Sequence, residues 1–143
     1  MMKVKLDPGA YMPERAHESD AGMDIRTPVP ITIAPATPTY GAGKAMVNTR
    51  VHVEIPQGYV GFIKSKSGLN VKWNITAEGV IDSGYTGSIV VKLYNLGATE
   101  YHFDAGDKIA QLVILPILAP ELEQVDELED TDRGSDGFGS SGR

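Results

Sequence analysis

Arg133, Phe138, three serine hydroxyls and four glycines fall within residues 133–142, a combination able to close over an anionic, aromatic ligand. A guanidinium and hydroxyls suit phosphate oxygens, the amides of a Gly/Ser run can line an anion-binding concavity, and Phe138 offers a flat face to a base. Such a glycine content makes the segment costly to order by itself, and a Gly/Ser run taken alone also reads as a solvated terminus. Three interior clusters add polar groups. Residues 21–26 carry Asp24 after a polar loop; residues 64–69 carry Lys64, Lys66 and Ser67 where a strand gives way to a possible helical turn; residues 79–87 form a hairpin holding one carboxylate, Asp82, and one phenol, Tyr85. Taken singly, Asp24 is a turn residue, Ser67 a helix cap, Asp82 an ordinary hairpin aspartate and the lysines solvated side chains.

Two better-known phosphate patterns fail on their surroundings. Gly41-Ala42-Gly43-Lys44 resembles the end of a P-loop, but Pro38 stands where the first glycine belongs and Ala45 where Ser or Thr would meet a metal. It reads as a hairpin loop. Residues 137–142 fit GxGxxG literally, with no helix to follow.

The elements that must position these groups belong to one domain of 143 residues, long enough for a single core. The net charge of −6 disfavours nucleic acid or an anionic membrane as a bulk partner, so a polyphosphate must be held by a local site. There is no cysteine, and His17, His52 and His102 lack the close spacing of zinc ligands. The first residues carry no signal-type apolar stretch, and the longest apolar run, 109–120, contains Gln111 and Pro116, so the expected location is cytoplasmic. The Asn74-Ile75-Thr76 sequon is then coincidental.

Apolar residues alternate with polar ones over 47–55 and again over 89–94, the period of half-buried strands. Further strands are predicted at 2–6, 31–34, 59–65, 73–76, 101–103 and 108–118, punctuated by turns such as Pro56-Gln57-Gly58 and Ala105-Gly106-Asp107. Residues 67–72 could form one helical turn. Many short strands argue for a sandwich, barrel or jelly roll. Residues 121–132 are acidic with no basic side chain, a solvated connector to the glycine-rich end. The division expected is 1–120 as the β-barrel body and 121–143 as connector and closing arm.

In this order the clusters form a set. The chain resembles the trimeric dUTPase family across nearly its whole length, through residues 21–26, Lys66-Ser67-Gly68-Leu69, residues 79–87, Gly106-Asp107-Lys108-Ile109-Ala110-Gln111-Leu112, and residues 133–142. The resemblance implies an all-β, jelly-roll-like barrel, a homotrimer, and hydrolysis of dUTP to dUMP and pyrophosphate. It implies sites shared between subunits, the second and fourth motifs coming from one, the third from its neighbour and the fifth from the remaining one. Asp82 would be the general base on the water attacking the α-phosphorus. Tyr85 would pack under the deoxyribose and leave no room for a 2′-hydroxyl. Main chain near Gly79, with Thr76 beside it, would read uracil. Lys66, Ser67, Gly68 and Gln111 would hold the phosphates, with Arg133, Gly139, Ser140 and Ser141 closing on the γ-phosphate and Phe138 stacking on the base. Mg2+ would bridge phosphate oxygens, held by Asp24 through water.

Three residues depart from the family pattern: Gly84 where many members carry a second aspartate, Lys66 where arginine is usual, and Asp136 in place of a glycine. A related fold belongs to dCTP deaminase, which the run from Ser83 to Asn95 also suggests, but Lys92 stands where that family has its catalytic glutamate. A lysine does not perform that carboxylic acid's proton transfers. A nucleotide-dependent regulatory binding protein is the alternative from a different class.

Overall fold

The computed structural model describes residues 1–135. In chain order the elements are β1 (Lys3–Leu6), β2 (Gly22–Arg26), β3 (Ile31–Ile33), β4 (Gly43–Asn48), β5 (Val51–Glu54), β6 (Tyr59–Lys64), α1 (Ser67–Trp73), β7 (Ile75–Ile81), β8 (Val90–Asn95), β9 (Tyr101–Phe103) and β10 (Lys108–Pro116). A six-stranded antiparallel sheet runs β2-β10-β6-β7-β8-β4, and two-stranded sheets β1-β5 and β3-β9 complete a curled all-β, jelly-roll-like body. No helix among the described residues is long and apolar enough to cross a membrane.

Alternation explains how the strands share one core. On β8, Val91, Leu93 and Asn95 are buried while Val90, Lys92 and Tyr94 face outward. Their inward neighbours include Ile25, Ile63, Ile75, Phe103 and Leu112, all at most 2% exposed. Each such aliphatic or aromatic side chain contributes about 1.5–3 kcal/mol by leaving water.

The predicted single strand over 47–55 is two strands in different sheets: β4 pairs with β8 and β5 with β1. The chain turns the corner at Thr49 and Arg50. Arg50 has φ 61°, in the left-handed region, and its N–H donates to Asn48 Oδ1 at 2.9 Å. Buried Thr49 satisfies its hydroxyl on the Ile89 carbonyl at 2.8 Å. Val47, Thr49, Val51 and Val53 remain buried through the corner, so alternation alone does not mark it.

Two other expectations change. Residues 22–26 are strand β2 rather than a turn; Met23, Asp24 and Ile25 are all buried, and a strand covered on both faces shows no period of two. The strand predicted over 73–76 begins after Trp73, which ends α1. Asn74 terminates that helix in the left-handed conformation (φ 55°, ψ 30°), and β7 then runs on to Ile81. Lys66, not Ser67, is the N-cap residue of α1, and no side chain caps it by a hydrogen bond. The first amides of the helix therefore have no intrahelical partner.

Candidate active site

Strand register lines up four polar side chains across the sheet. Asp24 on β2 lies opposite Gln111 on β10, Gln111 opposite Lys64 on β6, and Lys64 opposite Glu78 on β7. A cleft of about 510 Å3 opens beside this row, lined by Gly22, Ser65, Ser67, Asn70 and Gln111 among others. Gln111 donates through Nε2 to the Ser65 carbonyl at 2.9 Å, which fixes its side chain at the cleft wall. A Cβ on Gly22 would lie 2.0 Å from Gln111 Oε1. Any side chain there would displace the Gln111 amide from its place at the cleft wall.

Asp24 is buried and carries two ammonium groups. Lys66 Nζ bonds its Oδ1, and Lys108 Nζ lies 2.6 Å from its Oδ2. Burial pushes this carboxyl up, but the hydrogen bonds from Lys108 and Lys66 outweigh it and hold the pKa below the ordinary value. A group depressed by folding contributes stability above its unfolded pKa, near 3.8, and loses that contribution as pH falls through the lower folded value. An Asp24→Asn variant, which leaves two partly exposed ammoniums without their counter-charge, is expected to lose about 1–2 kcal/mol of stability at neutral pH. Thermal melts from pH 7 down to pH 3 should show the gap to the parent closing at the acid end; a gap independent of pH would contradict the pairing. Residue type alone gives Lys108 no role, although it sits three residues before Gln111 in the same motif.

The third motif lies at the far end of β7. Its ladder with β8 covers only Ile75, Thr76 and Ala77, while Glu78 to Ile81 pair with β6 alone. From Glu78 onward the β8-facing edge of β7 carries no strand partner, so main-chain groups around Gly79 can accept a ligand. The following turn closes from the Tyr85 N–H to the Asp82 carbonyl at 3.2 Å, with Gly84 at φ 90°. Glycine meets that left-handed backbone without steric cost. Tyr85 donates to the Ser88 carbonyl at 3.0 Å. Its ring lies over Gly87, where a Cβ would approach within 2.4 Å of the phenol oxygen. Asp82 is exposed and makes no ion pair among the described residues.

Within one chain these groups form two separate assemblies. Ser67, Gly68 and Gln111 gather at the cleft, whereas Asp82 and Tyr85 lie further along β7. Two strand spacings and four residues of rise put the Asp82 backbone roughly 15 Å from that of Gln111. Thr76 pairs with Tyr94 near the other end of β7. Arg133 is exposed within a turn near the end of the described residues. Asp136, Phe138, Gly139, Ser140 and Ser141 lie outside them.

A family model described as dUTPase matches residues 9–142. The chain belongs to the dUTPase family. It is 43% identical over 135 residues, covering 92% of this chain and 85% of the relative, to the deoxyuridine 5'-triphosphate nucleotidohydrolase of Cutibacterium acnes. Its structure is similar to that of the Staphylococcus bacteriophage 80alpha dUTPase with dUPNHPP: TM-score 0.88, 36% identity, covering 100% of this chain and 99% of the other. A mutant dUTPase of phage phi11 of S. aureus, described as coordinating a structural Mg(II) ion, is similar at TM-score 0.79 and 34% identity, covering 91% and 99% of the two chains.

Asp24, expected to hold magnesium through water, has a lysine ammonium at each carboxylate oxygen. No group of three His, Cys, Asp or Glu side chains among the described residues could hold a metal ion.

Proposed function

We propose that this chain hydrolyses dUTP to dUMP and pyrophosphate at composite sites of a homotrimer, with Asp82 as general base. The observation that carries this reading is the division of labour across the sheet. A cleft suited to phosphate and a hairpin bearing a proton acceptor are both built, yet one chain holds them farther apart than one reacting water can bridge. A second subunit bringing its hairpin to the first subunit's cleft completes the constellation.

At such a site, Asp82 takes a proton from water as its oxygen bonds to the α-phosphorus. The bond from that phosphorus to the bridging oxygen breaks, and pyrophosphate departs with its electron pair. Ser67, the helix amides after it, Gly68 and Gln111 hold the phosphate oxygens in line for attack, so positioning and charge stabilisation supply most of the acceleration. Lys66 exchanges Asp24 for a phosphate oxygen while Lys108 keeps the carboxylate compensated. Arg133 and the hydroxyls of Ser140 and Ser141 close on the γ-phosphate, with Gly139 allowing close approach and Phe138 covering the base. Mg2+ would travel with the triphosphate and lower its charge, and the Asp24 oxygen that Lys66 gives up would hold it through water.

Specificity comes from the opened end of β7. Main chain near Gly79, with Thr76 on the same strand, matches the N3 and O4 pattern of uracil. Tyr85 fills the space a ribose 2′-hydroxyl would need. Deamination of dCTP is disfavoured by Lys92, which is exposed on the outward face of β8 with its Nζ 5.1 Å from the Tyr94 ring centre. Pyrophosphate release measured with dUTP, dCTP, UTP and dTTP tests the reading. Release from dUTP alone is expected; ammonia release from dCTP, or equal turnover of all four, would overturn it.

A further inference from the structure

His52, on β5, joins the hairpin of the third motif to the loop that follows β1. Its Nδ1 lies 2.8 Å from the Thr86 carbonyl oxygen, and its Nε2 lies 2.8 Å from Asp7 Oδ2. Both partners are acceptors: a carbonyl oxygen carries no proton, and the Asp7 carboxyl is held below its ordinary pKa first by His52 and then by Lys5. A neutral imidazole has one N–H and can serve only one of them. The geometry therefore requires both ring nitrogens to donate. The bond to Thr86 ties the hairpin to β5; the Asp82–Tyr85 turn and the Tyr85–Ser88 bond are internal to it, and Ser88 Oγ donates to Asn48 Oδ1 of β4 at 2.5 Å at its far end.

We infer that His52, as the imidazolium, is a positioning residue that holds the Asp82–Tyr85 turn in its working place through Thr86. This rests on the roles given above to Asp82 and Tyr85. The Asp7 carboxylate is the stronger acceptor and keeps the Nε2 proton, so the proton lost is that on Nδ1; its lone pair then faces the Thr86 carbonyl, replacing attraction by repulsion and freeing the hairpin to shift. Misplacement of a base by a fraction of an ångström lowers the rate without any change in the base itself. The charges around the ring are Asp7, Lys5 on β1 at 3.1 Å from Asp7, and the Lys3–Glu54 pair at 3.0 Å, whose members line the same small cavity as His52 and Thr86. The hairpin itself brings Asp82 and Tyr85.

The direction of the pH effect follows. The bond to Asp7, then the bond to Thr86, raises the His52 pKa above 6.5, against burial and then Lys5, which pull the other way. The strap is complete below the ordinary histidine pKa and is lost as pH rises through the raised value.

The experiment combines NMR titration with kinetics on the intact protein. The Thr86 and Gly87 amide signals should titrate together with the His52 ring, and kcat/KM for dUTP should fall about three- to tenfold across the same pH range. Asp7→Asn should move both transitions to lower pH, and Lys5→Ala should move them to higher pH. His52→Gln should abolish both transitions while melting as a folded protein. Amide signals that ignore the His52 titration, or a kinetic transition unmoved by Asp7→Asn, would overturn the proposal. Failure of the base assignment is separable: an Asp82→Asn enzyme of full activity removes that assignment, while the NMR coupling reports on the strap regardless.

Discussion

An Asp82→Asn enzyme is expected to turn over dUTP roughly 10² to 10⁴ times more slowly than the parent while binding nucleotide nearly as well. The substitution keeps the side-chain volume and removes only the capacity to accept a proton. Asp82 is exposed, so losing its charge leaves no buried partner stranded and the melting temperature should barely move. The backbone of the turn is set by the Tyr85 N–H on the Asp82 carbonyl and by Gly84 at φ 90°, neither of which the substitution touches. Single-turnover rates and binding of a non-hydrolysable analogue separate the two effects. A near-parental rate would show that another group takes the proton.

Removing residues 133–143 is expected to lower dUTP hydrolysis by about 10²-fold or more, with little effect on folding. The side chains of the buried core lie between Met23 and Leu112, so the deletion takes none of them away. What it removes is Arg133 for the γ-phosphate, Ser140 and Ser141, and the ring of Phe138 for the base. Because dUMP has no γ-phosphate, its affinity should fall far less than that of dUTP. Calorimetric melts, dUMP titration and steady-state rates on the truncated chain give the three comparisons. Unchanged hydrolysis would make the segment an inert terminus.

Sequence periodicity located the strands whose two faces differ and missed the features set by tertiary context. The alternation of β8 was legible because its outward face stays wet, whereas β2 was not, because Met23, Asp24 and Ile25 are all covered. The corner at Thr49 and Arg50 keeps the alternation in phase and hides a change of sheet. The five motifs were legible from residue type and order. The pairing of Lys66 and Lys108 on Asp24 was not, since it depends on three segments distant in the chain meeting through the register of β2 and β10. The same holds for Gly22, whose need for a bare Cα follows only once Gln111 is opposite its strand. His52 drew attention in the sequence only as a failed metal ligand; its second role exists because β5 passes under the hairpin.

Subunit mixing tests most directly the claim that each site is assembled from different chains. Asp82→Asn and Gln111→Ala proteins, each nearly inactive alone, are unfolded together and refolded as an equal mixture. If the hairpin and the cleft come from different subunits, random assembly gives about a quarter of the sites an intact Asp82 and an intact Gln111, and pyrophosphate release from dUTP returns to about that share of the parent rate. Should both residues serve the same chain, no mixed trimer contains an intact site. The mixture would then stay as inactive as its components, contradicting the composite site.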